Sequence, residues 1–190
     1  YRNLVEKRNV DAIVGYISSG NCQALAPVAE ELKQFTIFAT CGTPRIFEEA
    51  ARKYVFRTMG HATADNVAAA MYVKEKFPDM KGYTGINQNY AWGQDSWRDF
   101  DLTLQQIMPN TKASDKTQFP KIFAGQYGSE ISAMSLDKAD LVHTSFWGGD
   151  LEAFIFQGNA RGLFKKKIGV FTVGGTAAYR LGKKLPNGLV

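Results

Sequence analysis

The chain has 190 residues, 45% of them hydrophobic and 22% charged, which excludes wholesale disorder and a collagen-like repeat. Its apolar runs are strand-length, far short of the roughly 20 residues a membrane-spanning helix needs. Twenty-three basic residues against 18 acidic ones leave a net charge of +5, too mild to mark a nucleic-acid-binding face. After Glu152 the chain carries Arg161, Lys165, Lys166, Lys167, Arg180, Lys183 and Lys184 but no acid. Charge runs of this kind usually face water, so solvated helix ends and loops are expected there.

The length allows one domain or two small ones. Residues 1–8 read as the end of a helix, and Val10–Ile17 as a buried strand closed by Ser18-Ser19-Gly20-Asn21. Residues 22–34 place Leu25, Val28, Ala29 and Leu32 at helical spacing. Phe35–Ala39 is a second apolar run, closed by Thr40-Cys41-Gly42-Thr43-Pro44. A short helix is expected over Ile46–Lys53 and an extended piece over Tyr54–Thr58. Residues 62–77 form an amphipathic helix stopped by Pro78.

Gly82–Asn87 reads as a strand and Gly93–Met108 as a helix, with Trp97, Phe100, Leu104 and Ile107 on one face. Asn110–Ala113 is a candidate strand, and Thr117–Tyr127 has no readable pattern. There follow a helix over Gly128–Leu136, a strand over Leu141–Phe146, a helix over Asp150–Leu163 and a strand over Lys167–Val173. A loop over Gly182–Asn187 leads to a terminal strand. The chain opens inside a helix without a Met and stops at a strand start, as a part of a larger protein would. Strand–helix alternation implies α/β architecture, with doubly wound parallel sheets covered on both faces. Ligands bind such folds beyond the carboxyl ends of the strands.

The residues at those ends are therefore the candidates. Ser18 and Ser19 open a helix, where hydroxyls and free amides suit an anion, or else serve as a plain cap. Cys41, Gly42 and Thr43 follow the next strand and offer a second small-residue loop. Tyr90 and Trp92 follow the strand ending near Asn87, and Trp147 follows Phe146. Aromatic residues there are expected to wall a ligand, the alternative being that Trp92 or Trp147 packs under a helix.

Catalytic groups are scarce. His143 lies in a predicted strand and His61 at a junction, neither with metal-ligand spacing. Gly15–Gly20 misses the nucleophile elbow by one residue, and Ser135-Leu136-Asp137-Lys138 has no partner motif. There is no dinucleotide or phosphate-binding glycine motif, so no cofactor is expected. Binding rather than chemistry is the expectation. Cys22 and Cys41 follow adjacent strands; two buried free thiols are expected, with a bridge in an oxidising compartment as the alternative.

Several stretches, in order, carry a family resemblance. They are Val10–Gly15 with Ser18-Ser19-Gly20, Phe38–Pro44, Val55–Thr58, Asn89–Gln94, Tyr127–Ile131 and Gly158–Leu163. In these the chain resembles the type I periplasmic solute-binding proteins of ABC transporters, of the branched-chain amino acid (Leu/Ile/Val-binding) group. The resemblance implies two lobes, one of them incomplete, with a small ligand in the cleft between them. It implies a first-lobe part at 1–58, most of the second lobe at 59–190, a periplasmic location and a membrane permease as partner. It assigns ligand contacts to Ser18 or Ser19, to Cys41-Gly42-Thr43, to Trp92 with Tyr90 close by, and to Trp147 or Phe146.

One departure matters. Amino-acid binders of that group hold the ligand ammonium with an acid after a later second-lobe strand, but Thr172-Val173-Gly174-Gly175-Thr176 contains none. Asp150 is the nearest substitute, though a helix-capping role is expected for it. An organic acid lacking an amine, or an amide, is therefore the expected ligand. The same fold also serves sensors and regulators, and a hydrolase built on Ser18 or Ser135 would need a base that the sequence does not provide.

Overall fold

The computed structural model describes residues 1–190 and divides into two compact units, Tyr1–Ala64 and Asp65–Val190. In the first unit, helix α1 (Arg2–Arg8) precedes β1 (Ile13–Gly15), α2 (Ser19–Glu31), β2 (Thr36–Phe38), α3 (Arg45–Glu48) and β3 (Val55–Arg57). The three strands are parallel in the order β1-β2-β3, with Val14, Ile37 and Phe56 in register. Each strand is shorter than its apolar run. The backbone turns left-handed at Tyr16 (φ 68°), which ends β1 and leaves Ile17 outside the ladder.

One face of this sheet is packed. Phe38 and Val55 meet Cys22, Ala26 and Ala29 of α2 and Ile46 of α3 in one buried cluster. Across the sheet Val14 is 68% exposed and Phe56 47%. Cys22 and Cys41 are not free thiols but a disulfide, with Cα atoms 6.2 Å apart, within bridging range. The reason lies in the parallel pairing, which carries the loop after β2 across the start of α2.

Helix α4 (Ala62–Lys76) leads into the second unit, which contains β4 (Gly82–Gly85), α5 (Ala91–Ile107), β5 (Lys112–Ala113), α6 (Gly128–Leu136), β6 (Leu141–Thr144), α7 (Gly148–Ala160), β7 (Ile168–Phe171) and α8 (Ala177–Leu181). All strands are parallel, in the order β5-β4-β6-β7. Strand β6 is central and buried along its whole length. Its side chains alternate between two apolar layers: Leu141 joins Val73, Tyr83, Phe100 and Leu104, whereas Val142 joins Ile131, Phe146, Phe154 and Ile155. Helices cover both faces, as the alternation requires.

The tail differs from the expected loop. The five-residue α8 precedes it and a 3-10 turn at Gly182–Lys184 opens it, both too short to leave a periodic signal. Val190 then hydrogen-bonds β7 on both sides, through Gly169 O and Phe171 N. The basic residues of this region are not merely solvated. Arg180 pairs with Glu152 at 3.1 Å, Lys184 lies over the Phe156 ring, and Lys167 Nζ donates to the carbonyls of Asp137 and Ala139.

His143 of β6 is fully buried and stacks on Phe100 with ring centroids 4.3 Å apart. A neutral ring fits its neighbours: Nε2–H donates to Asn66 Oδ1 at 2.7 Å, and Nδ1 accepts from Asn87 Nδ2 at 3.4 Å. Burial lowers its pKa from 6.5 to about 3. The unfolded chain therefore takes up a proton below about pH 6.5 that the folded chain refuses. This contribution to stability is complete above that pH and is lost as pH falls from about 6.5 toward 3. Guanidinium denaturation is expected to show about 2 kcal/mol less stability at pH 5 than at pH 7.5 from this group. His143→Asn should shrink that difference; an unchanged pH dependence would refute the assignment.

Candidate functional site: the carboxyl ends of the strands

In the first unit three segments are stitched together beyond the strands. Ser18 caps the extended entry to α2, but its hydroxyl makes no capping bond. Ser19 is buried, and its Oγ accepts the Thr43 N–H at 3.1 Å. Thr40 Oγ1 donates to Tyr16 O. The disulfide fixes Cys41 to the first turn of α2. Arg57, at the end of β3, donates through one nitrogen to Cys41 O (3.1 Å) and Thr43 O (2.7 Å). Its guanidinium lies 5.3 Å from the Phe47 ring centroid. Partial burial lowers its pKa, and Glu48 acts in the opposite direction.

Both loop carbonyls are thus turned toward Arg57, and the peptide N–H of Gly42 is turned the other way. The arrangement can present the Gly42 N–H and the Ser18 hydroxyl to an anion. Ser18, Ser19, Cys41, Gly42 and Thr43 do come together here. Sequence gives no local signal for Arg57, which ties the loop from behind, because its partners are carbonyls 16 and 14 residues earlier.

In the second unit the order β5-β4-β6-β7 reverses direction between β4 and β6. The chain runs from β4 to one side and from β6 to the other, so their loops splay apart at the carboxyl end. These are the loops that carry Tyr90 and Trp147. Polar bonds bridge them: Asn87 Oδ1 accepts from the N–H and hydroxyl of Ser145. The backbone at Gln88 presses against the start of α5, where a Cβ on Gly93 would lie 2.0 Å from Gln88 O.

Asp150 organises this end. It is 2% exposed and lies in the first turn of α7, yet it makes no cap bond. Its Oδ2 instead accepts Gln88 Nε2 at 2.5 Å and Phe123 N at 2.8 Å. Gln157, two turns further on, accepts Tyr127 N and donates to Gly125 O. The segment unreadable in the sequence is therefore held against α7, and its earlier part extends the sheet through Gln118 beside Ile86.

The four second-unit candidates divide. Trp92 is 8% exposed, and its Nε1 donates to Ser145 O at 2.8 Å, so it braces the two loops from inside. Phe146 is buried against Tyr127 and Phe154 in the core. Trp147 is half-buried and donates Nε1–H to the Tyr90 hydroxyl at 2.8 Å. Burial first, then the Asp150 charge, pushes the Tyr90 pKa up to about 12, against the lowering effect of the Trp147 bond. Phe123 meets Trp147 edge-on, with centroids 5.5 Å apart and planes at 81°. Phe123 completes an aromatic group that the sequence reading left without it. No group of three or more His, Cys, Asp or Glu residues comes together to hold a metal.

A family model described as "Periplasmic binding protein" matches residues 1–190. No curated protein matches the chain at a significant level. Among solved structures, an ABC-transporter solute-binding protein from R. palustris in complex with 4-hydroxybenzoate is 22% identical, covers 90% of this chain and 45% of its own, and superposes with a TM-score of 0.77. A periplasmic binding protein from Burkholderia mallei is 17% identical over 95% and 47% of the two chains, with a TM-score of 0.86. A leucine binding protein, LivK, from Thermotoga maritima is 18% identical over 89% and 46%, with a TM-score of 0.74. The chain spans about half the length of these structures.

Two stability effects follow. Replacing both Cys22 and Cys41 by Ser removes a 19-residue closure and should cost about 3 kcal/mol, read as a lower Tm in calorimetry. Asp150→Ala removes the acceptor shared by Gln88 Nε2 and Phe123 N, and should cost about 2 kcal/mol in guanidinium denaturation. Wild-type midpoints in either variant would refute the corresponding bond.

Proposed function

The chain belongs to the periplasmic binding protein family, and from that premise we propose that it forms the solute-binding part of an ABC importer specific for a small aromatic carboxylic acid. In this reading the 1–58 part contributes the anion loops, and the 59–190 part contributes the aromatic wall. The two lobes close over the ligand and deliver it to a membrane permease by hinge motion, without covalent change.

The observation that carries the ligand class is the fate of Asp150. Its carboxylate is buried, and Oδ2 already accepts Gln88 Nε2 and Phe123 N, so it holds this end of the unit together rather than standing open to a ligand ammonium. The Thr172–Thr176 loop offers no acid either. Burying an ammonium without a counter-charge is expensive, which disfavours an α-amino acid. Trp147, Tyr90 and Phe123 instead favour a flat apolar body, and Ser18 with the Gly42 amide favours a carboxylate. The ligand named for the R. palustris relative is of this class, whereas LivK is named for leucine.

The proposed location is extracytoplasmic. Cys22–Cys41 suits an oxidising compartment, and no helix is long and apolar enough to cross a membrane. The test is thermal shift of the full chain with benzoate, 4-hydroxybenzoate, hexanoate, benzamide and leucine. A ligand at about 100 times its Kd adds about 2.7 kcal/mol to the native state. The expected result is a raised Tm with the aromatic acids and none with leucine. A shift with leucine alone would overturn the proposed ligand class.

A further inference from the structure

We infer that Phe123 is a specificity-determining residue of the ligand site, placed to select a planar ring. The inference rests on the aromatic-acid reading above and adds a residue and a geometry to it. Phe123 has φ +60°, in the left-handed region that bulky side chains avoid. Its ring is nonetheless 66% exposed, so burial of apolar surface does not compensate for the unfavourable backbone. A strained, exposed aromatic contributes little to folding, and strain of this kind collects at ligand clamps.

The surroundings over-determine that conformation. Asp150 Oδ2 accepts the Phe123 N–H at 2.8 Å, and Gln157 Nε2 holds Gly125 O at 2.9 Å. Both anchors stand on α7, the helix that Trp147 opens. The Phe123 backbone is therefore held relative to Trp147, whose own orientation is set by its bond to Tyr90. The two rings stand nearly perpendicular, at 81°. A planar ring entering such a corner meets the face of one ring and the edge of the other, both favoured aromatic geometries. A puckered ring of the same size and charge cannot match the edge and the face together.

The experiment compares benzoate with cyclohexanecarboxylate by isothermal titration calorimetry on the wild-type chain, Phe123→Leu and Phe123→Gly, with Tm measured for each. Leu keeps an apolar side chain and the backbone strain but removes the ring; Gly removes both. Benzoate affinity is expected to fall about tenfold in both variants, with cyclohexanecarboxylate changing less than twofold in Phe123→Leu. Tm is expected to stay level or rise in Phe123→Gly. Wild-type benzoate affinity in both variants, or a fall in Tm with affinity kept, would overturn the role of Phe123. Equal losses for the two acids would overturn selection of a planar ring. No binding of either acid by the wild-type chain would overturn the aromatic-acid reading itself, and this inference with it.

Discussion

A carboxylate sealed from water must have its oxygens satisfied, and at Asp150 that requirement shapes one end of the second unit. Its donors come from two stretches far apart in sequence: Gln88 after β4 and Phe123 in the irregular segment. No short-range interaction would bring these together. Once they converge, Tyr90, Trp147 and Phe123 have little freedom left, because each is one or a few residues from an anchored atom. The aromatic wall is thus a consequence of where a buried charge finds its hydrogen bonds.

The first unit reaches comparable order by different means. It has no buried carboxylate at its strand ends. A covalent bridge fixes Cys41 against α2, and a half-buried guanidinium gathers the carbonyls of Cys41 and Thr43. The sign of the organising group fits the proposed role of each unit. A cation that draws Cys41 O from behind turns the Gly42 N–H the other way, which suits an anion. A carboxylate that collects donors leaves apolar rings facing forward, which suits a hydrocarbon body. Screening by water acts least on such partly buried groups, so their fields persist at physiological salt.

Much of the fold is legible in the sequence because its signals are local. Apolar runs alternate with stretches of helical period, and each run ends in small or aromatic residues that cannot continue a strand. That is enough to place Ser18, Cys41, Tyr90 and Trp147 at strand ends. The missed features depend on pairing across the chain. The bond between Cys22 and Cys41 needs the parallel register of β1 and β2. Arg57 reads as an ordinary strand residue until the loop beside it is seen. Phe123 lies in a segment without period, since that segment takes its shape from α7 rather than from its own pattern. Trp92 and Phe146 illustrate the opposite limit. Sequence brings an aromatic to a strand end, but only packing decides which of two neighbours turns inward.

The same packing bears on why an acid in the right neighbourhood need not be a ligand group. Asp150 is close enough to Tyr90 to raise its pKa, and a search for a counter-charge to an ammonium would stop there. Yet Oδ2 already accepts Gln88 Nε2 and Phe123 N, so an ammonium drawn to that oxygen would compete with Gln88, whose buried donor would then lack a partner. That loss costs about 1–3 kcal/mol, comparable with the gain from a new ion pair that has itself been desolvated. Releasing the Phe123 N–H as well would free that residue from its strained conformation and dissolve the corner it forms with Trp147. An ammonium and an ordered aromatic wall therefore compete for one carboxylate, and the two hydrogen bonds already made to Asp150 Oδ2 favour the wall.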